Sequence, residues 1–238
     1  MAKADLRIDW ATHEAARYAC ENWHYSGTVP MGKLAKVGAW ERGEFVGVVL
    51  FGRGANNRLS SAYHLRQDEA VELVRVALKK HSAPVSKIKA IAIRFLKKAN
   101  PGLRLIVSYA DPKQNHHGGI YQAGNWIYAG KSQAQRELLI NGRFTHKRTA
   151  HSLYGTASPE KISKKSGLAV EWAPIEWKHI YLMPLDEAMR VQIAPLAKPY
   201  PKRAKQAMAE HPSAQRQCNT DPHAPIQGNS DARSQAAS

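Results

Sequence analysis

Residues 86–124, SKIKAIAIRFLKKANPGLRLIVSYADPKQNHHGGIYQAG, decide the fold because they hold a helix, a central strand and a second, short helix in succession. Apolar residues recur at helical spacing over Ile88–Ala99, with Ser86 as the expected N-cap. LRLIVSYAD is largely apolar, as is typical of a strand covered on both faces, and it ends at Asp111. A short helix is then predicted over about Gly119–Ala123. The basic residues of the first helix are expected mostly to face away from the core: Lys87, Lys89, Arg94, Lys97 and Lys98.

The preceding residues predict one helix and three strands. Trp10–Trp23 suggests an amphipathic helix with Ala15, Tyr18 and Ala19 on one side. The next three apolar runs are strands, of which the first two form a hairpin through Arg42 and Gly43: Val37–Trp40, Phe45–Phe51 and VELVRVALKK at 71–80. Because the connections are short or irregular, these strands are expected to be antiparallel.

The last third of the chain predicts one more strand, KHIYLMPL at 178–185, preceded by a basic loop, YGTASPEKISKKSG at 154–167. Together the elements indicate an α+β fold with a central mixed, mostly antiparallel sheet flanked by helices. Residues 1–196 are expected to form one domain with a basic segment at about 140–170, and 197–238 a disordered polar tail.

The composition favours a polyanionic partner. There are 35 Lys and Arg against 19 Asp and Glu, which gives a net charge of +16. Nucleic acid is the first candidate for this partner, and an anionic membrane surface is the second. The alternative is a soluble basic protein whose charge serves no partner. Cys20 and Cys218 cannot form a disulfide framework, and no apolar run approaches the roughly 18 residues of a membrane span. We therefore expect a cytoplasmic protein without a membrane partner.

The order of the elements resembles the fold of the GCN5-related N-acetyltransferases. In that fold the N-terminus of a helix receives the pyrophosphate of an acyl coenzyme A, since free N–H groups and the helix dipole favour an anion. The resemblance implies that Val74, Arg75 and Val76 line the donor, and that 79–86 is the phosphate loop, with contacts from Lys79, Lys80 and Ser86. This loop, KKHSAPVS, has no glycine, whereas the acetyltransferase loop is Gly-rich.

Four motifs, HYSGTVP, FGRGANN, ELVRVAL and SYADPKQNHHGGIYQAGNW, occur in an order that resembles the phage Mom family over roughly residues 20–190. The resemblance implies an acetyltransferase-like enzyme that converts the exocyclic amine of adenine in double-stranded DNA to a carbamoylmethyl derivative and so protects phage DNA from host restriction. Two alternatives are an acetyl-coenzyme A-dependent transferase acting on a protein or small amine, and a non-catalytic DNA-binding protein on the same scaffold.

If the resemblance holds, a weakly nucleophilic amine must be positioned and deprotonated. Asp111 is the predicted base or orienting group; its alternative is to cap the turn at Pro112. Tyr121 is implied as the general acid, and core packing is its alternative. His24 and Tyr25 lie in the loop implied to cover the acceptor. There His24 either exchanges a proton or only bonds a neighbouring loop.

Adjacent His116 and His117 point in different directions and lack a metal-binding spacing, so zinc is not expected. The two tyrosines Tyr25 and Tyr121, joined by His24 or Asp111, form a hard ligand set that suggests iron as a hypothesis.

The DNA contacts are predicted from two polar segments. The basic segment offers Arg143, Lys147, Arg148, Lys164 and Lys165 to phosphates, although a solvated basic face is the alternative. The loop GRGANNRLSS offers Arg53, Asn56 and Asn57, and Asn can pair with an adenine edge. A paired adenine must be extruded to react, and Trp40 either stacks on that base or fills the core.

Overall fold

A seven-stranded sheet forms the centre of the computed structural model, which describes residues 5–53, 58–134, 136–174 and 177–202. A second, three-stranded sheet has the order β8-β7-β9. The strands are β1 (Leu6–Trp10), β2 (Leu34–Glu41), β3 (Glu44–Gly52), β4 (Ala70–Leu78), β5 (Leu105–Ala110), β6 (Ile127–Lys131), β7 (Leu138–Ile140), β8 (Arg143–Thr145), β9 (Val170–Trp172) and β10 (His179–Pro184). The helices are α1 (His13–Trp23), α2 (Val85–Ala99), α3 (Gly119–Gln122), α4 (Lys147–Tyr154), α5 (Pro159–Ser166) and α6 (Glu187–Ile193).

The strand order of the large sheet is β1-β2-β3-β4-β5-β10-β6. Only β4 and β5 are parallel neighbours in this described sheet, and the other pairs are antiparallel. Apolar residues of α2 and α3 pack on one face, where Ile106 of β5 points. Those of α1 and α6 pack on the other face, where Leu105 points. The predicted fold class, a mixed and mostly antiparallel sheet flanked by helices, is therefore confirmed.

The parallel contact between β4 and β5 is short. Residues 70–72 pair with 105–107, and within the described chain both strands then continue without pairing to each other. Where the ladder stops, the Ser108 hydroxyl lies 2.8 Å from the Leu73 carbonyl oxygen, so a side chain bridges the strands. We call the opening beyond this bridge the β4–β5 gap. The gap lies along the last residues of β5, which Asp111 follows.

The predicted hairpin is confirmed. Arg42 and Gly43 have φ of 54° and 81°, the two left-handed positions of the tight turn that matches strand twist. The first predicted helix needs correction, because Trp10 ends β1 and α1 begins after Thr12, whose side chain accepts a hydrogen bond from the Ala15 amide at 3.1 Å. Its buried residues are Ala16, Ala19 and Cys20, whereas Tyr18 is exposed.

Two details predicted for α2 are wrong. Ser86 is not the N-cap: Pro84 is extended, and the helix starts at Val85. Lys89 does not face solvent, since it is 1% exposed and its ammonium donates to the Ile120 carbonyl at 2.5 Å. Burial lowers the pKa of Lys89 to about 8. The bond links α2 to α3, so this lysine supports the short helix instead of solubilising the long one.

The predicted basic loop at 154–167 is also wrong, because it contains the end of α4 and all of α5. Gly155 and Gly167 end the two helices in the left-handed conformation, with φ of 74° and 70°. Ser158 caps α5 by accepting from the Lys161 amide, and Ile162 buries the helix against β7. The capping signals were present in the sequence, but the segment contains too few apolar residues to show a helical period.

The first residues of the predicted tail pack on the fold. The Lys198 amide donates to the Tyr128 carbonyl at 2.8 Å, and the Tyr200 hydroxyl donates to the Trp126 carbonyl at 2.7 Å. Residues 203–238 lie outside the described chain. No helix within the described residues is both long and apolar enough to cross a membrane.

Candidate active site

Asp111 follows the last residue of β5 and starts a tight turn. One carboxylate oxygen, Oδ1, accepts from the Lys113 amide at 2.9 Å, and the chain then forms a single 3-10 turn over Pro112–Gln114. Asn115 closes the turn in the left-handed conformation. The capping role that was the alternative for Asp111 is thus present, but the turn uses Oδ1, and the carboxyl group is only half-buried.

His24 is held by its own loop directly after α1. Its Nδ1 atom accepts from the Ser26 amide at 3.2 Å and lies 2.8 Å from the Ser26 hydroxyl. Burial lowers the pKa of His24 to about 4, and the positive charges of Arg75 and His116 add to this effect. The imidazole is therefore neutral at physiological pH with its proton on Nε2, so it is a fixed donor and not a group that titrates near neutrality.

Tyr25 joins this loop to the turn after β5. Its ring lies 4.3 Å from that of His24 and 5.3 Å, edge to face, from that of His116, measured between centroids. Burial raises the pKa of Tyr25 and the negative charge of Asp111 raises it further, while Arg75 opposes the shift. The structure therefore brings together three of the predicted catalytic residues, His24, Tyr25 and Asp111, with His116. We call these four residues the Asp111 cluster.

Arg75 of β4 faces the same region with an unused donor. Its Nη1 atom is buried and has no hydrogen-bond partner within the described residues. Burial lowers the pKa of Arg75, with partial compensation from Cys20 and Tyr25. An unsatisfied buried donor is costly, roughly 1–3 kcal/mol, and a bound water or a ligand atom that accepts this hydrogen bond removes the cost.

Tyr121 lies deeper than the Asp111 cluster. The residue is 7% exposed, and its ring stacks on that of Tyr181 at 5.0 Å and lies under the Lys89 ammonium. The Tyr121 and Ser108 hydroxyls are 2.7 Å apart. Since the Leu73 carbonyl can only accept, it takes the Ser108 proton, and the Tyr121 proton then fills the bond between the hydroxyls. Burial raises the pKa of Tyr121 to about 12, so the phenol stays protonated.

Glu72 was missed by the sequence reasoning. It precedes the gap on β4 and is half-buried, and no hydrogen bond to its side-chain carboxyl is found among the residues that the structure describes. Burial raises its pKa to about 7, against the opposing charge of Lys178. Its own charge raises the pKa of Tyr109 and Tyr121, which places it beside both. A carboxyl so perturbed in a cleft is a functional candidate, and its signal was one glutamate inside the apolar run AVELVRVAL.

Trp40 is not brought to the Asp111 cluster. Its indole packs on Gly38, where a Cβ atom would lie 2.6 Å away, and on Phe45 at 5.5 Å between centroids. The Arg7 guanidinium covers the ring at 4.6 Å. These contacts correspond to the packing alternative for this residue.

The residues predicted to contact DNA lie in two separate parts of the chain. Five are exposed on β8, α4 and α5, which form one unit with the three-stranded sheet: Arg143, Lys147, Arg148, Lys164 and Lys165. Arg53 is exposed after β3, whereas Asn56 and Asn57 lie outside the described residues. The structure thus exposes these five basic residues, called the basic face below, and leaves the adenine-reading asparagines as a prediction.

Comparison with known proteins identifies the family. The profile of the Mom protein family matches residues 5–202. The chain belongs to the Mom protein family. It is 24% identical over 153 residues to the methylcarbamoylase mom of Escherichia phage Mu. That match spans 63% of this chain and 63% of the phage Mu protein, less than two thirds of the relative's length. A solved structure of a candidate acetyltransferase from Acinetobacter baylyi ADP1 aligns at 12% identity and a TM-score of 0.42, covering 78% of this chain and 95% of that one.

The start of α2 does not fit the pyrophosphate of coenzyme A. The Ser82 and Ala83 amides both donate to the Glu41 carboxylate, at 2.8 Å each. Lys79 pairs with Glu44, while Lys80 is exposed and Ser86 lies within the helix. The protein's own anion therefore occupies the amides that the acetyltransferase resemblance assigns to the ligand. Val74, Arg75 and Val76, by contrast, lie on β4 beside the gap, where a donor's reacting end would pass.

The residues proposed for iron also fit poorly. Tyr121 directs its hydroxyl at Ser108, and burial favours the protonated phenol over the phenolate that a hard cation prefers. Among the described residues, no group of three His, Cys, Asp or Glu is arranged to hold a metal ion. Iron at Tyr25 and Tyr121 stays a hypothesis, and no step below is derived through it.

Proposed function

We propose that this chain is a transferase that converts the exocyclic amine of adenine in double-stranded DNA to its carbamoylmethyl derivative, and that the product protects phage DNA from host restriction. Family membership supports the reaction class. The observation that carries the proposal is the Asp111 cluster beside the β4–β5 gap, where a carboxylate, a tyrosine and an arginine with an unsatisfied donor are close enough for their charges to interact.

Asp111 is the proton acceptor in this reaction. The adenine nitrogen forms a bond to the methylene carbon of the donor, and the leaving group departs with the electron pair of its former bond to that carbon. The amine loses a proton, which passes to the Asp111 carboxylate. The turn that binds Oδ1 holds the carboxylate in place before the substrate arrives, which lowers the entropic cost of the attack.

The other groups of the site orient the donor and acceptor. Arg75 Nη1 donates to the carboxamide oxygen of the donor, which supplies the missing hydrogen bond. Neutral His24 and the ring of Tyr25 line the side of the site where the acceptor base binds. Tyr25 is 60% exposed, so a base can reach it from solvent. Tyr121 keeps the general-acid role implied by the resemblance: it holds its proton at neutral pH and reaches the gap through Ser108.

The basic face on β8, α4 and α5 holds the duplex. Its cations contact phosphates, so binding weakens steeply as salt displaces them, and the contacts carry no sequence information. The alternative acceptor classes, a protein or a small amine, have no use for such a face. The acetyl-coenzyme A alternative is further disfavoured by Glu41 at the start of α2.

The test is the nucleoside composition of DNA from cells that express the chain. We expect mass spectrometry of the digested DNA to detect deoxyadenosine heavier by a carbamoylmethyl group. The matched variants are Asp111→Asn, which should lower the product by about a thousandfold, and Asp68→Asn, an exposed carboxylate paired with Arg66, which should behave as the wild type. Acetylated adenine would establish the acetyltransferase alternative. Equal product from the Asp111→Asn variant would refute the assignment of the base.

A further inference from the structure

A cavity of about 400 Å³ opens on the face of the sheet covered by α6, and Tyr109, two residues before Asp111, lines it. Its walls are aromatic, from Tyr63, Tyr109, Phe144 and Trp177, and its polar groups include Glu72 and Lys178. The volume falls in the range of roughly 300–1,000 Å³ that is usual for sites of small molecules. Flat aromatic walls with a few convergent polar groups are suited to a planar heteroaromatic ring.

The cavity lies against the proposed base. Tyr109 and Asp111 are two residues apart on extended backbone, so their side chains leave β5 on the same side. The Lys113 ammonium, in the turn that Asp111 caps, lies 6.0 Å from the centroid of the Phe144 ring. A ring held between Tyr109 and Phe144 therefore has the Asp111 carboxylate beside its edge.

We propose that this cavity receives the extruded adenine and that Glu72, as a neutral carboxylic acid, recognises it with a pair of hydrogen bonds. The inference rests on the proposed function for the identity of the base. The carboxyl hydroxyl donates to a ring nitrogen of adenine, and the carbonyl oxygen accepts one hydrogen of the exocyclic amine. The second amine hydrogen then faces Asp111. Glu72 thereby fixes the reacting nitrogen without taking part in the proton transfer.

The protonation of Glu72 matters because only the neutral acid can donate. An ionised carboxylate is an acceptor alone, so its oxygens would oppose the ring nitrogen of adenine. The groups around Glu72 come from five parts of the chain. They are the phenols Tyr63, Tyr109 and Tyr121, the cations Arg58 and Lys178, and Glu137, which is paired with His146 at 3.6 Å. Burial outweighs the opposing charge of Lys178 and raises the pKa of Glu72 to about 7.

An extruded nucleotide also accounts for the positive charges around the cavity. Arg58 and Lys178 line it, and the basic face begins at Arg143 on β8, whose neighbour Phe144 is a wall residue. Phosphates that flank an extruded nucleotide would meet these cations while the base enters the aromatic interior. An uncharged purine alone would not require cations at the opening, and a free anion would not require four aromatic rings.

The experiment measures binding without any donor. Full-length protein is titrated into short duplexes that differ only in one bulged base, adenine or thymine, because a bulged base is already unpaired. Affinities are measured by fluorescence anisotropy at constant salt, at pH 6 and pH 8, one unit on either side of the pKa of about 7 for Glu72. We expect the wild type to prefer bulged adenine by about tenfold at pH 6, the scale of one two-bond base contact, and to lose most of that preference at pH 8.

Three variants separate recognition from folding. Glu72→Gln should keep the preference at both pH values, because an amide offers one donor and one acceptor at any pH. Glu72→Leu should abolish it. Phe144→Ala should weaken binding of both bulged duplexes, and because Phe144 is 46% exposed, its truncation does not empty the core. Glu187→Gln, an exposed glutamate at the start of α6, is the matched control and should bind as the wild type.

The outcomes distinguish this inference from the proposed function. No adenine preference in the wild type, or an unchanged preference in Glu72→Leu, overturns the adenine cavity even if cells make carbamoylmethyladenine. If Glu72→Leu keeps the preference but loses the product, the cavity holds the donor, and the inference is equally overturned. A preference for adenine that follows Glu72 and pH, with no modified base in cells, supports the cavity and refutes the transfer reaction.

Discussion

The β4–β5 gap and the start of α2 are two regions to which the acetyltransferase resemblance assigns a ligand, and they differ in one respect. At the start of α2, the Ser82 and Ala83 amides are satisfied by Glu41. At the gap, Arg75 Nη1 has no acceptor, and Glu72 receives no hydrogen bond, within the described residues.

From this difference we expect the ligand of this chain at the gap and not at the start of α2. Satisfied groups stabilise the fold, whereas unsatisfied buried groups destabilise it and are retained where a substrate completes them. The resemblance in sequence pointed to both regions alike. We therefore expect changes at the gap to reduce activity while stability is kept, and changes at α2 to do the reverse.

Asp111→Asn should have the largest effect. Loss of the proton acceptor is expected to reduce carbamoylmethyladenine by about a thousandfold, within the range for general bases. Affinity for duplex DNA should not change, because the phosphate contacts lie on the basic face. Nucleoside mass spectrometry and a DNA titration in parallel check this. A parallel loss of affinity would move Asp111 from catalysis to DNA binding.

Arg75→Met should have the second-largest effect on activity. The loss of the donor contact is expected to reduce product by about a hundredfold, as removal of one oriented hydrogen-bond donor does in other active sites. The free energy of unfolding should stay the same or rise, because the change removes a buried N–H group without a partner. Denaturant unfolding measures the second effect. A clear loss of stability would show that Arg75 is structural.

Glu72→Gln should stabilise the protein in a pH-dependent way. The folded-state pKa of Glu72 is about 7 against a usual 4.5, so the wild type loses stability as pH rises from 4.5 to 7. The glutamine variant escapes this loss and should exceed the wild type by roughly 2 kcal/mol above pH 7, and by nothing below pH 4.5, after allowance for partial solvent screening. Unfolding curves at pH 4 and pH 8 decide this; a constant difference contradicts it.

Glu41→Gln should have the smallest effect on activity. Product formation is expected to be unchanged, while the melting temperature falls modestly. Its hydrogen bond from the Ser82 amide lowers the pKa of Glu41. The stabilisation is therefore present above the usual glutamate pKa and is lost as pH falls through the lowered value, so the two proteins should converge in acid. If removing the Glu41 charge increased activity, the start of α2 would be a donor site after all.

Much of the active site followed from the sequence. The motifs that resemble the Mom family contain His24, Tyr25 and Asp111, and the structure brings these residues together. Glu72 could not be assigned, because its importance comes from burial beside Tyr109 and from a cavity whose walls come from segments distant in the chain. Trp40, chosen as a stacking residue for its type, proved to pack on its own hairpin.

The sequence by itself determined the order of the central elements from the β2–β3 hairpin to α3, the polar residues at the end of β5 and the strong positive charge. These follow from local spacing and composition, which each segment carries alone. Tertiary structure alone decided which polar groups are satisfied. Ser82 finds its acceptor in Glu41, 41 positions earlier on β2, and no such partner reaches Arg75 within the described chain. Hydrogen-bond satisfaction depends on distances between remote segments, so only the folded chain distinguishes amides that already have an acceptor from an arginine donor that has none.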